Sequence, residues 1–166
     1  IAIVGGGVLG VFSLETMSVV ASCDAPTTPR QRLVVGSRAF AIVDHDSCRM
    51  VVHDADGATL WETIVDDDSA VALSPDEDVL VTVGRPEEAN RYVVRLWDAS
   101  DGSEIGSVDG RRPTDAAEVH FIRGGDAIMV VAADGGGADA WDVSDPAAPT
   151  PILSLIHISE PTRPLH

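Results

Sequence analysis

Two Trp-Asp pairs, Trp97-Asp98 and Trp141-Asp142, stand 44 residues apart, each closing an apolar run and leading into turn residues. Fainter copies lie upstream, in Val52-His53-Asp54-Ala55-Asp56-Gly57 and in Val11-Phe12-Ser13-Leu14-Glu15-Thr16. Phe12, His53, Trp97 and Trp141 are therefore spaced by 41, 44 and 44 residues. A unit of that length cannot bury its own faces, so a fixed period predicts copies stacked side by side, each covering its neighbour.

The third copy shows what one unit contains. Ala70 to Leu73 reads as an inner strand, Ser74-Pro75-Asp76 as a turn, Val79 to Val83 as a second strand, Tyr92 to Trp97 as a third, and Ser103 to Val108 as an outer one. Pro75 suits a turn position where its fixed φ helps and its missing N–H costs nothing, and Asp76 can bond its own backbone. Gly84 to Arg91 is left as a longer loop. The fourth unit repeats the order, with strands at Glu118 to Ile122, Ala127 to Val131 and Ala138 to Trp141, a turn at Gly124-Gly125-Asp126, and a last strand starting near Pro149. Four antiparallel strands per unit predict an all-β fold: a β-propeller fragment of about three to four four-stranded blades with the ring not closed. The units fall around 1–23, 32–65, 69–108 and 117–152.

The Ser74-Pro75-Asp76 turn, the two Trp-Asp dipeptides and the period resemble the WD-repeat family, over roughly Ile1 to Ile152. In that family a Gly-His pair ahead of the inner strand supplies a His to a buried set with a Ser or Thr, an Asp and the strand-three Trp. Here the corresponding place reads Asp66-Asp67-Asp68. Thr82 could be the hydroxyl of one blade and Asp134 the turn carboxylate of another, but neither blade has the full set. The resemblance is thus to a divergent, bacterial-type propeller held mainly by apolar packing.

The C-terminal string Leu153 to Arg163 looks like the in-frame translation of a transposase adapter used to prepare sequencing libraries, so 153–166 is expected to be non-native read-through. The chain begins without Met, inside an apolar strand. The expectation is an interior slice of a longer propeller, with uncovered blade faces and strand edges that favour aggregation.

Charge narrows the partners. The chain has 11 Arg, no Lys, 19 Asp and 8 Glu, for a net charge of −16. Such a surface repels nucleic acid and anionic membranes and favours basic partners, cations or simple solubility. The Asp excess suits a GC-rich bacterial genome or a salt-adapted one.

Several local motifs admit a sharper reading. Gly5-Gly6-Gly7-Val8-Leu9-Gly10 after Ile1 to Val4 fits the strand-then-glycine turn of a dinucleotide site, where glycines let backbone N–H groups approach a pyrophosphate at a helix start. Its rival is a glycine-rich hairpin between two blade strands, favoured because Phe12 to Thr16 falls on the repeat. Val20-Ala21-Ser22-Cys23 resembles a lipoprotein cleavage box, but Glu15 interrupts the apolar segment and the propeller register makes Ser18 to Cys23 an outer strand. No convincing signal peptide is visible, the compartment stays open, and the spacing of Cys23 and Cys48 does not demand a disulfide. Asp54-Ala55-Asp56-Gly57 matches half of a calcium loop, yet with Gly57 at the sixth position the first and twelfth fall on Val52 and Thr63, which cannot ligate as required. A strand-to-strand turn explains the same residues. Asp66-Asp67-Asp68 reads as a solvated inter-blade loop rather than a metal site.

No nucleophile constellation accompanies His45, His53 or His120, and no catalytic, cofactor-binding or metal-binding residue is assigned. His53 takes the place of the strand-three aromatic and is expected to pack, while His120 is expected to be a satisfied core or channel-facing residue. The resemblance implies a non-catalytic scaffold for a protein or peptide partner. The alternative is the propeller domain of a larger enzyme, a serine hydrolase or a protein kinase, whose catalytic part lies elsewhere. No nucleic-acid partner and no membrane insertion are expected.

Overall fold

The period resolves into successive antiparallel sheets in the computed structural model, which describes residues 2–5, 8–13, 18–24, 30–67, 69–110, 116–133 and 137–152, with side chains described from residue 30 onward except at 116 and 117. Strands β1 (Ala2–Gly5), β2 (Val8–Ser13) and β3 (Ser18–Asp24) form a three-stranded sheet in that order. The second sheet runs β4 (Gln31–Val35), β5 (Ala39–Asp44), β6 (Arg49–Asp54), β7 (Thr59–Ile64). The third runs β8 (Ala70–Leu73), β9 (Val79–Gly84), β10 (Val93–Asp98), β11 (Glu104–Asp109), and the fourth β12 (Ala116–Ile122), β13 (Ala127–Ala132), β14 (Ala138–Asp142), β15 (Thr150–Ile152). Each sheet is a meander of sequence neighbours. β8 lies against both β4 and β12, so the first strand of each four-stranded sheet is the innermost and the sheets are blades of an unclosed propeller.

Register carries the repeat further than spacing does. A β-bulge interrupts the pairing just before Phe12, just before His53 and just before Trp97, in each case between the strand that carries that residue and the outer strand of its unit. The extra residue strengthens the local twist and re-aims the side chain that follows, His53 in the second unit and Trp97 in the third.

The strands expected in the third and fourth units are present to within about two residues. The first unit differs: three strands are described there, not four. The residues after the glycines form β2, not a helix, and Gly5 pairs with Val8 across a hairpin. A pyrophosphate site needs backbone N–H groups converging at a helix start, so the dinucleotide reading of 5–10 is overturned by the strand. Ser18 to Cys23 does lie in the outer strand β3. Residues 14–17, Asp134 and 153–166 lie outside the described residues.

Burial explains why the middle strands read as continuous apolar runs. β5 is buried at Ala39, Phe40, Ala41, Ile42 and Val43, and β9 from Leu80 to Gly84, because both faces of a blade are covered. One face of the third blade, with Leu80, Trp97, Val71 and Leu73, meets Ala39, Ala41, Val43, Met50 and Val52 of the second. Its other face, with Ala70, Val81, Val83, Val94 and Leu96, meets Val119, Ile128, Val130 and Trp141 of the fourth. Outer strands β7 and β11 alternate instead, one side to solvent. Among the described residues no helix is long and apolar enough to cross a membrane.

Polar links cross these apolar junctions. Tyr92 Oη donates to Asp139 Oδ2 of β14 at 2.5 Å, with Tyr92 1% and Asp139 4% exposed, and the Tyr92 ring meets Trp141 edge-on at 6.1 Å. Removing the hydroxyl leaves a buried carboxylate oxygen one donor short. Tyr92→Phe is therefore expected to cost about 1.5 kcal/mol, read as a lower urea midpoint at unchanged slope. A variant as stable as the parent would show that other partners suffice for Asp139.

Candidate functional site

In an antiparallel meander, first-to-second and third-to-fourth strand turns emerge at the same end of the blade. The turns at 36–38, 55–58, 74–78, 99–103, 123–126 and 143–149 thus share one face, and two grooves open there, one at each junction between four-stranded blades.

Aspartates make these turns rigid. Asp54 Oδ1 accepts from the N–H groups of Asp56 (3.0 Å) and Ala58 (2.8 Å). Asp98 Oδ1 accepts from Ser100 N (2.8 Å) and Ser100 Oγ (2.6 Å), and Asp142 Oδ1 from Ser144 N (3.1 Å) and Ser144 Oγ (2.6 Å). The Asp of each Trp-Asp pair is a turn-former. The serine hydroxyl, then the backbone N–H, hold Asp98 and Asp142 below the usual carboxylate range. Asp54 is committed in the same way, so 54–57 is a turn between β6 and β7 and not a calcium loop.

The first groove, about 370 Å³, is lined by Arg38, Ala39 and Leu60 of the second blade and by Glu77, Asp78, Asp98, Ala99 and Ser100 of the third. A carboxylate from one blade is seated in the turn of the other. Glu77 Oε1 accepts from Ser37 N (2.6 Å) and Ser37 Oγ (2.5 Å), and Oε2 from Arg38 N (2.7 Å) and Ala39 N (3.3 Å). Successive N–H groups of this kind form an anion-binding concavity. Gly36 is required there, because a Cβ would collide with the Glu77 carboxylate and with Leu73. Glu77 itself is held at φ 63°, in the left-handed region. Burial pushes its carboxyl up, but the bonds from Ser37, Arg38 and Ala39 outweigh that and leave it below the ordinary value. Arg38 reaches back, donating to Asp78 Oδ1 at 2.9 Å and to the Asp76 carbonyl oxygen. At the groove's outer end Trp61 Nε1 donates to Ala99 O at 2.9 Å, and its ring stacks on Trp97 at 6.5 Å.

The second groove, about 220 Å³, is lined by Ser74, Asp76 and Val79 of the third blade and by Phe121, Gly124, Gly125, Asp126, Val143, Ser144 and Pro146 of the fourth. Register makes the grooves equivalent. Ala39, Val79 and Ala127 pair with Asp54, Asp98 and Asp142, and Ala99 N→Asp78 O (3.0 Å) is matched by Val143 N→Asp126 O (2.8 Å). Asp78 thus corresponds to Asp126, Glu77 to Gly125 and Asp76 to Gly124. Outside the groove, Gly106 corresponds to Trp61 and lies so close to the Pro146–Ala147 backbone that no side chain fits.

The other residues singled out in the sequence fall elsewhere. Thr82 accepts from Trp97 Nε1 at 2.9 Å, both buried, so the hydroxyl–Trp part of the family's buried set exists in the third blade. His53 is buried and stacks on Phe40 at 4.9 Å, as a packing residue should. His120 is exposed on the innermost strand, 2.9 Å from Glu118. Asp66 is not simply solvated: it pairs with Arg95 of β10, while Asp67 meets Arg30 at 3.4 Å. Those two carboxylates are each turned to a different arginine rather than to a common cation.

No family model matches the sequence, and neither does any curated protein. Solved structures do match. A complex of KlAtg21 with the coiled-coil of AgAtg16 aligns with TM-score 0.78 at 14% identity, over 98% of this chain and 54% of that one. The WD40 domain from Toxoplasma gondii coronin aligns with TM-score 0.67 at 9% identity, over 87% and 39%. The Pseudomonas aeruginosa periplasmic gluconolactonase PpgL aligns with TM-score 0.62 at 16% identity, over 90% and 48%. The chain spans about half or less of the length of these structures. The likeness establishes the fold, a β-propeller.

Proposed function

We propose that this chain is a non-catalytic platform that holds a protein or peptide segment on the face where the two grooves open. The observation that carries the reading is the pair of register-equivalent grooves at successive blade junctions, walled by turns whose aspartates fix them in advance. A rigid surface pays little ordering cost on binding, and an extended segment could enter both grooves in succession. The KlAtg21 structure, solved with a coiled-coil, supports this use of the fold, although the gluconolactonase is a reminder that propellers also serve enzymes.

The test is a selection of displayed 12-residue peptides on the full chain, followed by mapping. Leu60→Arg and Pro146→Arg, one per groove, are expected to weaken selected peptides at least tenfold. Glu88→Arg, in the loop at the opposite end of the strands, should leave them unchanged. Peptides sensitive only to Glu88→Arg, or no enrichment at all, would overturn the reading.

A further inference from the structure

We propose that the groove between the third and fourth blades takes the arginine side chain of an extended partner segment, with the Asp126 carboxylate as its acceptor. This rests on the platform reading and names the chemistry of its occupant.

The first groove supplies the precedent within the same molecule. There a guanidinium, that of Arg38, crosses the junction to the Asp78 carboxylate and the Asp76 carbonyl oxygen. By register the Asp78 carboxylate corresponds to that of Asp126 in the second groove, whereas Gly124, which stands in the place of Asp76, has a left-handed φ of 73° that Asp76 lacks, so only the carboxylate carries over. The donor has no counterpart. Arg38 directly precedes Ala39, whereas the residue directly preceding Val79 is Asp78, already engaged by Arg38. Arg123, the basic residue of the neighbouring turn, does not line the groove.

The rest of the groove fits the same occupant. Val79, Phe121, Val143 and Pro146 give apolar walls for a methylene stem. The space beside Gly124 is open, since a Cβ built there meets nothing within 4 Å. A chain of net charge −16 draws cationic segments toward it. The two oxygens of the Asp126 carboxylate suit the fork of a guanidinium better than the point charge of an ammonium.

The probe is acetyl-Ala-Arg-Ala-amide, titrated into the isotopically labelled full chain while backbone amide resonances are followed. Saturable shifts are expected at Gly124, Gly125 and Ser144, several-fold weaker binding for the lysine peptide, and none for the citrulline peptide, which keeps shape and loses charge. Asp126→Asn should weaken binding at least tenfold, and Asp109→Asn, the same charge change on the exposed outer strand, should not. Equal binding of the citrulline peptide, undiminished binding to a folded Asp126→Asn chain, or shifts confined to other residues would each overturn the proposal. The arginine–citrulline comparison needs no variant, so it decides the matter even if Asp126→Asn does not fold. Selected 12-residue peptides that occupy this groove without arginine would sink the proposal and leave the platform reading standing. Failure to select any peptide would sink the platform reading while the tripeptide still judges the groove.

Discussion

Trp141→Ala is expected to cost about 3–5 kcal/mol, the range for emptying a large aromatic site in a packed core. Trp141 is 1% exposed and sits where the third and fourth blades meet, in one cluster with Val81, Val94, Leu96, Val119 and Ile128. Its ring also carries the edge-on contact to Tyr92, which brings the hydroxyl to Asp139. Truncation therefore leaves a cavity and loosens a buried polar link together. Small domains are stable by only about 5–15 kcal/mol. The expected readout is loss of slow amide exchange in β13 and β14 and a urea midpoint lowered to near the onset of the parent transition. Trp97→Ala should cost less, because Trp97 is 8% exposed and Trp61 stays stacked nearby. A Trp141→Ala chain within about 1 kcal/mol of the parent would mean that this junction collapses around the gap or contributes little.

That residue also shows why so much of the fold was legible. Apolar positions repeat with the blade, and the blade period survives even where the residue changes, so His53 marks the same place as Trp97 and stacks on Phe40 as an aromatic would. The hairpins after Asp54, Asp98 and Asp142 were equally visible, since an Asx turn leaves its acid in the sequence. What failed were readings that treat a short motif by itself. The glycines at 5–7 suit a tight strand connection as well as a phosphate turn, and only the pairing of Gly5 with Val8 separates the two. Asp66 looked solvated because its partner, Arg95, lies in a different strand and 29 residues away.

The grooves were out of reach for a related reason. Each is made of turn residues from two blades, and its character depends on a two-residue difference in turn length that puts Arg38 and Asp78 at corresponding places. Glu77 reads as one acid among 27 until its positive φ and the N–H groups of residues 37–39 are seen together. The one local hint was Gly36, a glycine in a turn with no left-handed φ of its own, present because a neighbour's carboxylate fills the space a side chain would take.

Glu77 is accordingly the place where stability should depend on acid. Its carboxyl lies below the ordinary glutamate value of about 4.3, with burial opposed and outweighed by the bonds from Ser37, Arg38 and Ala39. A folded-state value below the unfolded one means that the unfolded chain binds the proton more readily. The contribution is fully present above the unfolded value and is lost as pH falls through the folded value, so stability rises with pH across that window. Glu77→Gln keeps the shape but turns an N–H donor toward backbone N–H donors at one of its two oxygen positions. It is expected to cost about 2 kcal/mol near pH 7, toward the low end for bonds to a charged group because the carboxylate keeps a side to solvent. Asp76, Asp98 and Asp142 are lowered as well, so the parent will lose stability in acid for several reasons at once. The informative quantity is the difference between parent and Glu77→Gln in urea midpoints from pH 7 to pH 3. It should shrink as the pH falls and approach the cost of the amide substitution alone. A gap that stays constant over that range would show that the carboxylate in the turn of residues 36–39 holds no more than its shape.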